Sequence, residues 1–332
     1  MSTMKAIRFP KFAPDESTLE IAEVPVQAPA AGEVTVKINY AALNPVDNKV
    51  LGGHLEGAGW AHPIPFYPGY DFSGTIETVG EGVSGFAKGE KVFAVNWGEG
   101  KHDDSSKTIG SAFAEFITLP AKKVSKIPEG LNMKTAAAVP LAGTTAWQAL
   151  DKGEVKEGSK VLILGAAGAV GMIAVQLAKL RGAKVFTTCS SRTLEFVSSL
   201  KAADTIINYT ETDWSAEGGE KDFDAVIDTI GEADVFTKAK KVLKSDGAFV
   251  TIASFDAGFD PKAHAPLRFA SFMCLSNDTK VQDDLAALIV AGKLQVPLNK
   301  EMDFSMENVK ALYQVQRDGK SVGKNLLVVA SE

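Results

Sequence analysis

Three glycines spaced three apart, Gly165, Gly168 and Gly171 in "GAAGAVG", stand between the apolar run "KVLIL" and a stretch whose apolar residues recur at helical spacing. The chemistry such a loop offers is anion binding. A residue without a Cβ lets backbone approach a phosphate, and the free amides of a helix start carry partial positive charge. Measured against the dinucleotide fingerprint G-x-G-x-x-G, the matching positions are Ala166, Gly168 and Gly171, with alanine in place of the first glycine. Gly168 would admit a pyrophosphate and Gly171 would let the helix pack close to the strand. Glycines also serve strand-to-helix turns that bind nothing. Here the buried-type strand before, the amphipathic helix after and a second strand at the right distance favour binding.

A second group follows in "VFTTCSSR", Val185 to Arg192. In the NAD-binding form of the motif, an acidic residue about 20 positions beyond the loop accepts hydrogen bonds from the ribose 2′-hydroxyl. This window offers hydroxyls, a thiol and a guanidinium instead. A carboxylate would repel a 2′-phosphate, whereas Ser190 and Ser191 can donate to one and Arg192 can neutralise it with a planar fork of donors. The expected cofactor is therefore NADPH. The serines and Thr193 could equally cap the helix that follows. The two roles are compatible, because a phosphate can sit on a capped helix start.

The elements that must position these residues can be read from periodicity. Lys160 to Leu164 is a continuous apolar run of strand length, as a parallel strand covered on both faces requires. Val170, Ile173, Ala174, Leu177 and Ala178 mark one face of a helix that should end near Gly182. "AKVFTTCS", "DTIINY", "FDAVIDTI" and "GAFVTIA" are further strands, and "RTLEFVSSL" a further helix. This alternation predicts an α/β fold with a doubly wound parallel sheet. From Lys5 to about Lys126, by contrast, short apolar runs are punctuated by Gly and Pro. The alternation of Val34, Val36, Ile38 and Tyr40 suits half-buried antiparallel strands. Asp278 to Gly292 is a helix candidate, and the tail from Leu294 returns to the β-rich texture. The expected division is 1–126 together with 295–332 as a β-rich domain, and 127–294 as the inserted nucleotide domain.

Composition supports two cores in 332 residues: 45% hydrophobic, 23% charged, 30 Gly and 14 Pro with no low-complexity tract. A net charge of -6 and the lack of a basic stripe exclude nucleic acid as the main partner. The 2 cysteines, Cys189 and Cys274, stand alone and form no structural zinc cluster. "MSTMKAIRFPKF" lacks the apolar core of a signal peptide, and no run approaches a membrane span, so a cytoplasmic protein without membrane attachment is expected.

Six ordered stretches, "GEVTVKINYAALNPVD", "PFYPGYDFSG", "GEKVFA", "AVPLAGTTAWQAL", "VLILGAAGAVG" and "SVGKNLLV", cover nearly the whole chain. In that order they resemble the medium-chain dehydrogenase/reductase superfamily, and most of all its zinc-independent quinone oxidoreductase branch. The resemblance implies a Rossmann-type domain inserted in a GroES-like β-rich catalytic domain, an active-site cleft between them, and a homodimer. It also implies site residues. Zinc alcohol dehydrogenases of the superfamily place a Cys and a His where this chain has Asn44 and Tyr70. Neither is a usual zinc ligand, so no metal site is expected. His54 and His62 lie nearby without a third ligand or helical spacing.

By the same resemblance Asn44 would hold the nicotinamide or the substrate, and Thr144 and Lys324 would lie near the cofactor. Gly168, Ala169, Val170 and Gly171 would line the pyrophosphate. Ser190, Ser191 and Arg192 would receive the 2′-phosphate, with Tyr209 beside it. Tyr70 could donate to a developing hydroquinone or enolate oxygen, or could be a wall for stacking. Asp47 and Asp71 are expected to fix loops, as solvated carboxylates. Trp60, Phe66, Tyr67 and Trp97 could rim the cleft, with at least two of them ordinary core aromatics. The expected reaction is metal-independent hydride transfer from NADPH to a quinone or activated enone. Two alternatives stand: an enal or enoyl reductase with little quinone activity, and a vestigial NADPH-binding regulatory protein. The chain departs from its relatives in the polar segment "HDDSSKTIG". It also has "GGHLEG" where the enoyl-thioester reductase branch carries a tyrosine, which argues against fatty-acyl thioesters.

Overall fold

The computed structural model describes residues 2–56, 63–97, 111–253 and 266–331. Trp60, His62 and "HDDSSKTIG" lie outside the described residues. The chain divides into two compact units: residues 1–144, 276–292 and 296–332 form the first, and 145–275 with 293–295 the second.

In the first unit, β1 (Thr3–Arg8) and β2 (Glu20–Pro25) form an antiparallel pair of their own. The next elements are β3 (Glu33–Leu43), α1 (Pro45–Leu51), β4 (Asp71–Val79), β5 (Lys91–Val95), β6 (Phe116–Pro120) and β7 (Val124–Lys126). They are followed by α2 (Met133–Ala138) and α3 (Pro140–Lys152), whose residues from Thr145 on belong to the second unit. Between Lys152 and Leu298 come the elements of the second unit: β8 (Lys160–Leu164), α4 (Ala169–Leu180), β9 (Lys184–Cys189), α5 (Leu194–Ser199), β10 (Thr205–Asn208), β11 (Phe223–Asp228), α6 (Val235–Val242), β12 (Leu243–Thr251) and β13 (Phe269–Phe272). The chain then returns to the first unit with α7 (Thr279–Val290), β14 (Leu298–Asp303), α8 (Met306–Arg317) and β15 (Lys324–Val328).

The main sheet of the first unit has the order β14-β15-β3-β4-β5-β7, with β6 also paired to β3. The expectation of half-buried alternation in β3 needs correction. Val34, Val36 and Ile38 are buried as expected, but so are Thr35, Asn39 and Ala41 between them, and only Lys37 is exposed. The reason is position: β4 pairs along one edge, β15 and β6 share the other, and α2 and α8 pack against the strand. Its polar residues are satisfied across strands, with Thr35 Oγ1 2.8 Å from Thr118 Oγ1 and Asn39 Nδ2 donating to the carbonyl of Ser331 at 3.3 Å.

The second unit is a six-stranded parallel sheet of order β10-β9-β8-β11-β12-β13. Renumbered within the unit this is 3-2-1-4-5-6, the Rossmann order, whose crossovers change direction between β8 and β11. The continuous apolar run of β8 is explained: Val161, Leu162 and Ile163 are each 0% exposed, covered on both faces. Phe186, Phe223 and Phe249 fill one side of the sheet. The last strand, β13, carries no strong signal in its short "FASF" run.

Candidate functional site

Between β8 and α4 the three glycines have different reasons to be glycine. Gly165 has φ +86, a left-handed conformation, and a Cβ there would lie 2.3 Å from Ile230 Cδ1. Gly171 packs the helix onto the loop, since its Cβ would lie 2.2 Å from the Gly165 carbonyl oxygen. Gly168 is under neither constraint: its φ is -78, and a Cβ would meet only the Gly165 oxygen at 3.5 Å. The fold therefore tolerates a side chain at Gly168, and its absence keeps open the space before α4. The amides of Ala169, Val170 and Gly171, in the first turn of that helix, have no acceptor within it. These residues fit a dinucleotide pyrophosphate. The loop is pinned from β9, where Thr188 Oγ1 accepts the Gly165 amide at 3.1 Å and Thr188 O the Ala166 amide at 3.2 Å.

Ile230 and Asp228 were not anticipated from sequence. Asp228, 0% exposed, accepts the amides of Ile230 and Gly231 at 2.9 and 3.0 Å and the Thr251 hydroxyl at 2.7 Å. It shapes the turn that holds the exposed Ile230 against the glycine loop. The signal available was the acidic end of an otherwise apolar strand.

At the C-terminal end of β9 Ser190 is the N-cap residue, and Thr193 closes the helix start. The Ser190 amide donates to Thr193 Oγ1 at 3.2 Å, and the two hydroxyls are 3.1 Å apart, ahead of a single 3-10 turn and α5. Ser191, Arg192 and Tyr209 are exposed. Register places Asn208 opposite Cys189, and the Tyr209 amide donates to the Cys189 carbonyl at 2.9 Å, so Tyr209 emerges beside the serines.

In the first unit the structure brings together Asn44, Asp47, Asp71 and Lys324. Asn44 follows β3 and precedes Pro45, a favoured first residue of a helix. Its side chain does not cap α1. Asn44 Nδ2 donates to Asp71 Oδ2 at 3.0 Å and to the Ala42 carbonyl at 3.2 Å, while Oδ1 accepts Lys324 Nζ at 2.7 Å. Capping falls to Asp47, whose Oδ2 accepts the Asn44 amide at 2.8 Å and whose Oδ1 accepts the Gly69 amide at 2.9 Å. Asp71 Oδ1 accepts the Leu141 amide at 2.7 Å, tying β4 to the start of α3.

Asp47 and Asp71 thus fix loops as expected, but they are not solvated: both are 0% exposed. Burial lifts the Asp47 carboxyl to about 7, the Asp71 charge adding to the rise and the Asn44 and Gly69 amides and the Lys324 ammonium opposing it. Lys324, expected beside a cofactor, is buried, its ammonium engaged by Asp71 and Asn44.

Tyr70 is wholly buried with its ring centroid 4.8 Å from that of Trp97, itself buried; Phe66 packs on Phe9 at 5.5 Å. Two of the expected rim aromatics are thus core residues. The buried hydroxyls of Thr144 and Tyr313 lack a hydrogen-bond partner among the described residues. Thr144 was expected near the cofactor. Tyr313 was missed, although Val309, Leu312 and Tyr313 share a helical face. Burial, with the charge of Asp47, pushes its phenol pKa well above the ordinary range.

Two family descriptions match the chain, "Alcohol dehydrogenase GroES-like domain" over residues 30–129 and "Zinc-binding dehydrogenase" over 169–286. A 2-methylene-furan-3-one reductase of Solanum lycopersicum is 34% identical over 88% of this chain and 70% of its own. The chain belongs to the medium-chain dehydrogenase/reductase superfamily. An NADPH-dependent alkenal/one oxidoreductase, chloroplastic, of Arabidopsis thaliana is also 34% identical, over 88% of this chain and 71% of its own. The structure of the quinone oxidoreductase from Coxiella burnetii superimposes with a TM-score of 0.88 at 29% identity, covering 99% of this chain and 100% of that one. This medium-chain reductase is an oxidoreductase of the quinone oxidoreductase-like branch, with the GroES-like and Rossmann-type layout its motifs imply. Among its described residues no group of three or more His, Cys, Asp or Glu could hold a metal, and no helix is long and apolar enough to cross a membrane.

Proposed function

We propose that this medium-chain reductase uses NADPH, without a metal ion, to reduce quinones or activated enones. The observation that carries the reading is the unforced glycine at 168 before the α4 amides, with Ser190 and Arg192 at the end of the neighbouring strand. A bound reduced nicotinamide supplies hydride. The chain's own residues bind and orient. The α4 amides of Ala169, Val170 and Gly171 receive the pyrophosphate, and Ser190, Ser191 and Arg192 the 2′-phosphate. Thr144 keeps a buried hydroxyl without a partner among the described residues and is assigned to the cofactor, and Asn44 is held in one rotamer by Lys324 and Asp71. Tyr70, its ring set by Trp97, is assigned to the acceptor as the resemblance implies.

Metal independence is supported by chemistry of the donor set. Asn44 is a weak ligand for zinc, Tyr70 is not a usual one, and the ammonium of Lys324 brings positive charge to Asn44 Oδ1. The acceptor class is supported by the relatives, whose names share a carbonyl conjugated to a double bond: a furanone, an alkenal or enone, and a quinone. Such electrophiles accept hydride without Lewis-acid activation.

The test is steady-state oxidation of NADPH and NADH with a planar quinone and, separately, a small enone, with and without a chelator. Turnover preferring NADPH and indifferent to chelation is expected. Turnover abolished by the chelator and restored by zinc would reject metal independence. Activity confined to the enone would narrow the acceptor to the alkenal class.

A further inference from the structure

Ser191 does not stand alone at the end of β9. Because β10 runs parallel to β9 with Asn208 opposite Cys189, the turns that leave the two strands emerge side by side. Asn208 Nδ2 donates to Ser191 Oγ at 2.9 Å, Thr210 Oγ1 lies 2.7 Å from the same hydroxyl, and Glu211 Oε1 lies 3.5 Å from it. The turn carrying Glu211 is itself fixed. Asn208 Oδ1 accepts the Thr210 amide at 3.2 Å and its hydroxyl at 2.7 Å, and the Asn208 carbonyl accepts the amides of Glu211 and Thr212 at 3.1 and 2.9 Å. A carboxylate is therefore held beside one of the residues that meet the 2′ substituent of a bound dinucleotide, although β9 itself ends without one.

We infer that Glu211 is a specificity-determining residue that opposes Arg192, so that the balance of the two limits how far the site discriminates between NADPH and NADH. The inference rests on the reading of residues 190–192 as the ribose end of the dinucleotide site. The effect is electrostatic. A phosphate monoester carries close to two negative charges at neutral pH and is repelled by the Glu211 carboxylate. The single proton of Ser191 Oγ is taken by Thr210 Oγ1, whose own proton goes to Asn208 Oδ1, so Glu211 acts through its charge alone. A ribose 2′-hydroxyl meets the reverse situation, because it can donate to the carboxylate, the role an acidic residue plays in NAD-binding relatives of the fold. Arg192 supplies the opposite preference through its guanidinium.

The experiment is fluorescence titration of NADPH and of NADH into the intact protein and its variants Glu211→Gln, Arg192→Ala and Glu157→Gln, at low and at high salt. Glu157 removes the same charge from the turn before β8, at the other end of the parallel strands. Glu211→Gln is expected to tighten NADPH about three- to tenfold, the range for an exposed like-charge contact with a doubly charged group, and to leave NADH unchanged or weaker. The gain should shrink at about 0.5 M salt, where exposed charges a few ångströms apart are strongly screened. Arg192→Ala should weaken NADPH, and Glu157→Gln should move neither ligand. The inference is overturned if Glu211→Gln leaves the NADPH to NADH ratio within about twofold while Arg192→Ala shifts it, or if Glu157→Gln has the same effect as Glu211→Gln. If Arg192→Ala also leaves the ratio unmoved, the assignment of the ribose end itself has failed, and the inference falls with it.

Discussion

Lys324 and Asp71 form an ion pair of 2.9 Å across 253 positions of sequence, with side chains only 1% and 0% exposed. Neither charge has water to fall back on. Removing one partner strands the other in a medium that solvates it poorly. Lys324→Met is therefore expected to cost about 3–5 kcal/mol of stability. Adding Asp71→Asn, which keeps an acceptor for the Leu141 amide, should return part of it. Urea midpoints at unchanged slope would measure both. Additive losses in the double variant would show that the pair is not coupled.

Asp47 gives the protein a pH dependence of definite sign. Its carboxyl holds a proton up to about 7 in the folded chain against 3.8 in the unfolded one. Between those values the folded state binds a proton the unfolded state has released, so this group's contribution to stability declines as pH rises through that window and is flat above it. Asp47→Asn should be less stable throughout, by about 1–3 kcal/mol, because an amide nitrogen would face a backbone donor. It should also show a flatter melting temperature against pH than the wild type. Parallel curves for the two proteins would contradict the assignment.

The glycine loop separates fold from function. Gly171→Ala drives a Cβ to 2.2 Å from the Gly165 oxygen and should cost more than about 2 kcal/mol of stability. Gly168→Ala should leave stability within about 0.5 kcal/mol or raise it, since its φ suits alanine. Its effect should fall on NADPH affinity instead, weakening it at least tenfold. Equal behaviour of the two variants in thermal melts would count against this division of labour.

Thr144→Val replaces a buried, unpartnered hydroxyl with a methyl group of the same shape. No hydrogen bond is lost in the free protein, so stability should rise by about 1 kcal/mol. If the hydroxyl serves the dinucleotide, NADPH affinity falls severalfold at the same time. A variant that is both more stable and equally tight would remove Thr144 from the cofactor site.

The parallel-sheet unit was legible because each of its central strands is covered on both faces and so reads as an unbroken apolar run, and because α4 keeps one buried stripe. β3 was misread although its alternation is real. Thr35 and Asn39 break the inference from polarity to exposure, since their partners, Thr118 and Ser331, lie far along the chain. The same distance hid the cluster around Asn44: "NPVD", "YPGYD" and "VGKN" each look like loop sequence, and only β15 pairing with β3 brings the lysine to the carboxylate. Asp47 and Asp71 read as solvated groups because a short acidic side chain between turn residues carries no local mark of burial. Glu211 lay in plain view two residues beyond Tyr209, and only the pairing of β10 with β9 places it at Ser191.

The place of β15 also sets the order in which a ribosome can deliver this fold. By the time residue 295 has emerged, the six parallel strands of the second unit have all been synthesised, while β3, made far earlier, still lacks the neighbour that covers Ala41, Ala42 and Leu43. A nascent chain stalled in α8 carries a nucleotide unit able to fold together with a strand edge whose amides and carbonyls have nothing to pair with, and a buried aspartate awaiting its lysine. Until β15 arrives, that edge of β3 is open to pairing with another chain.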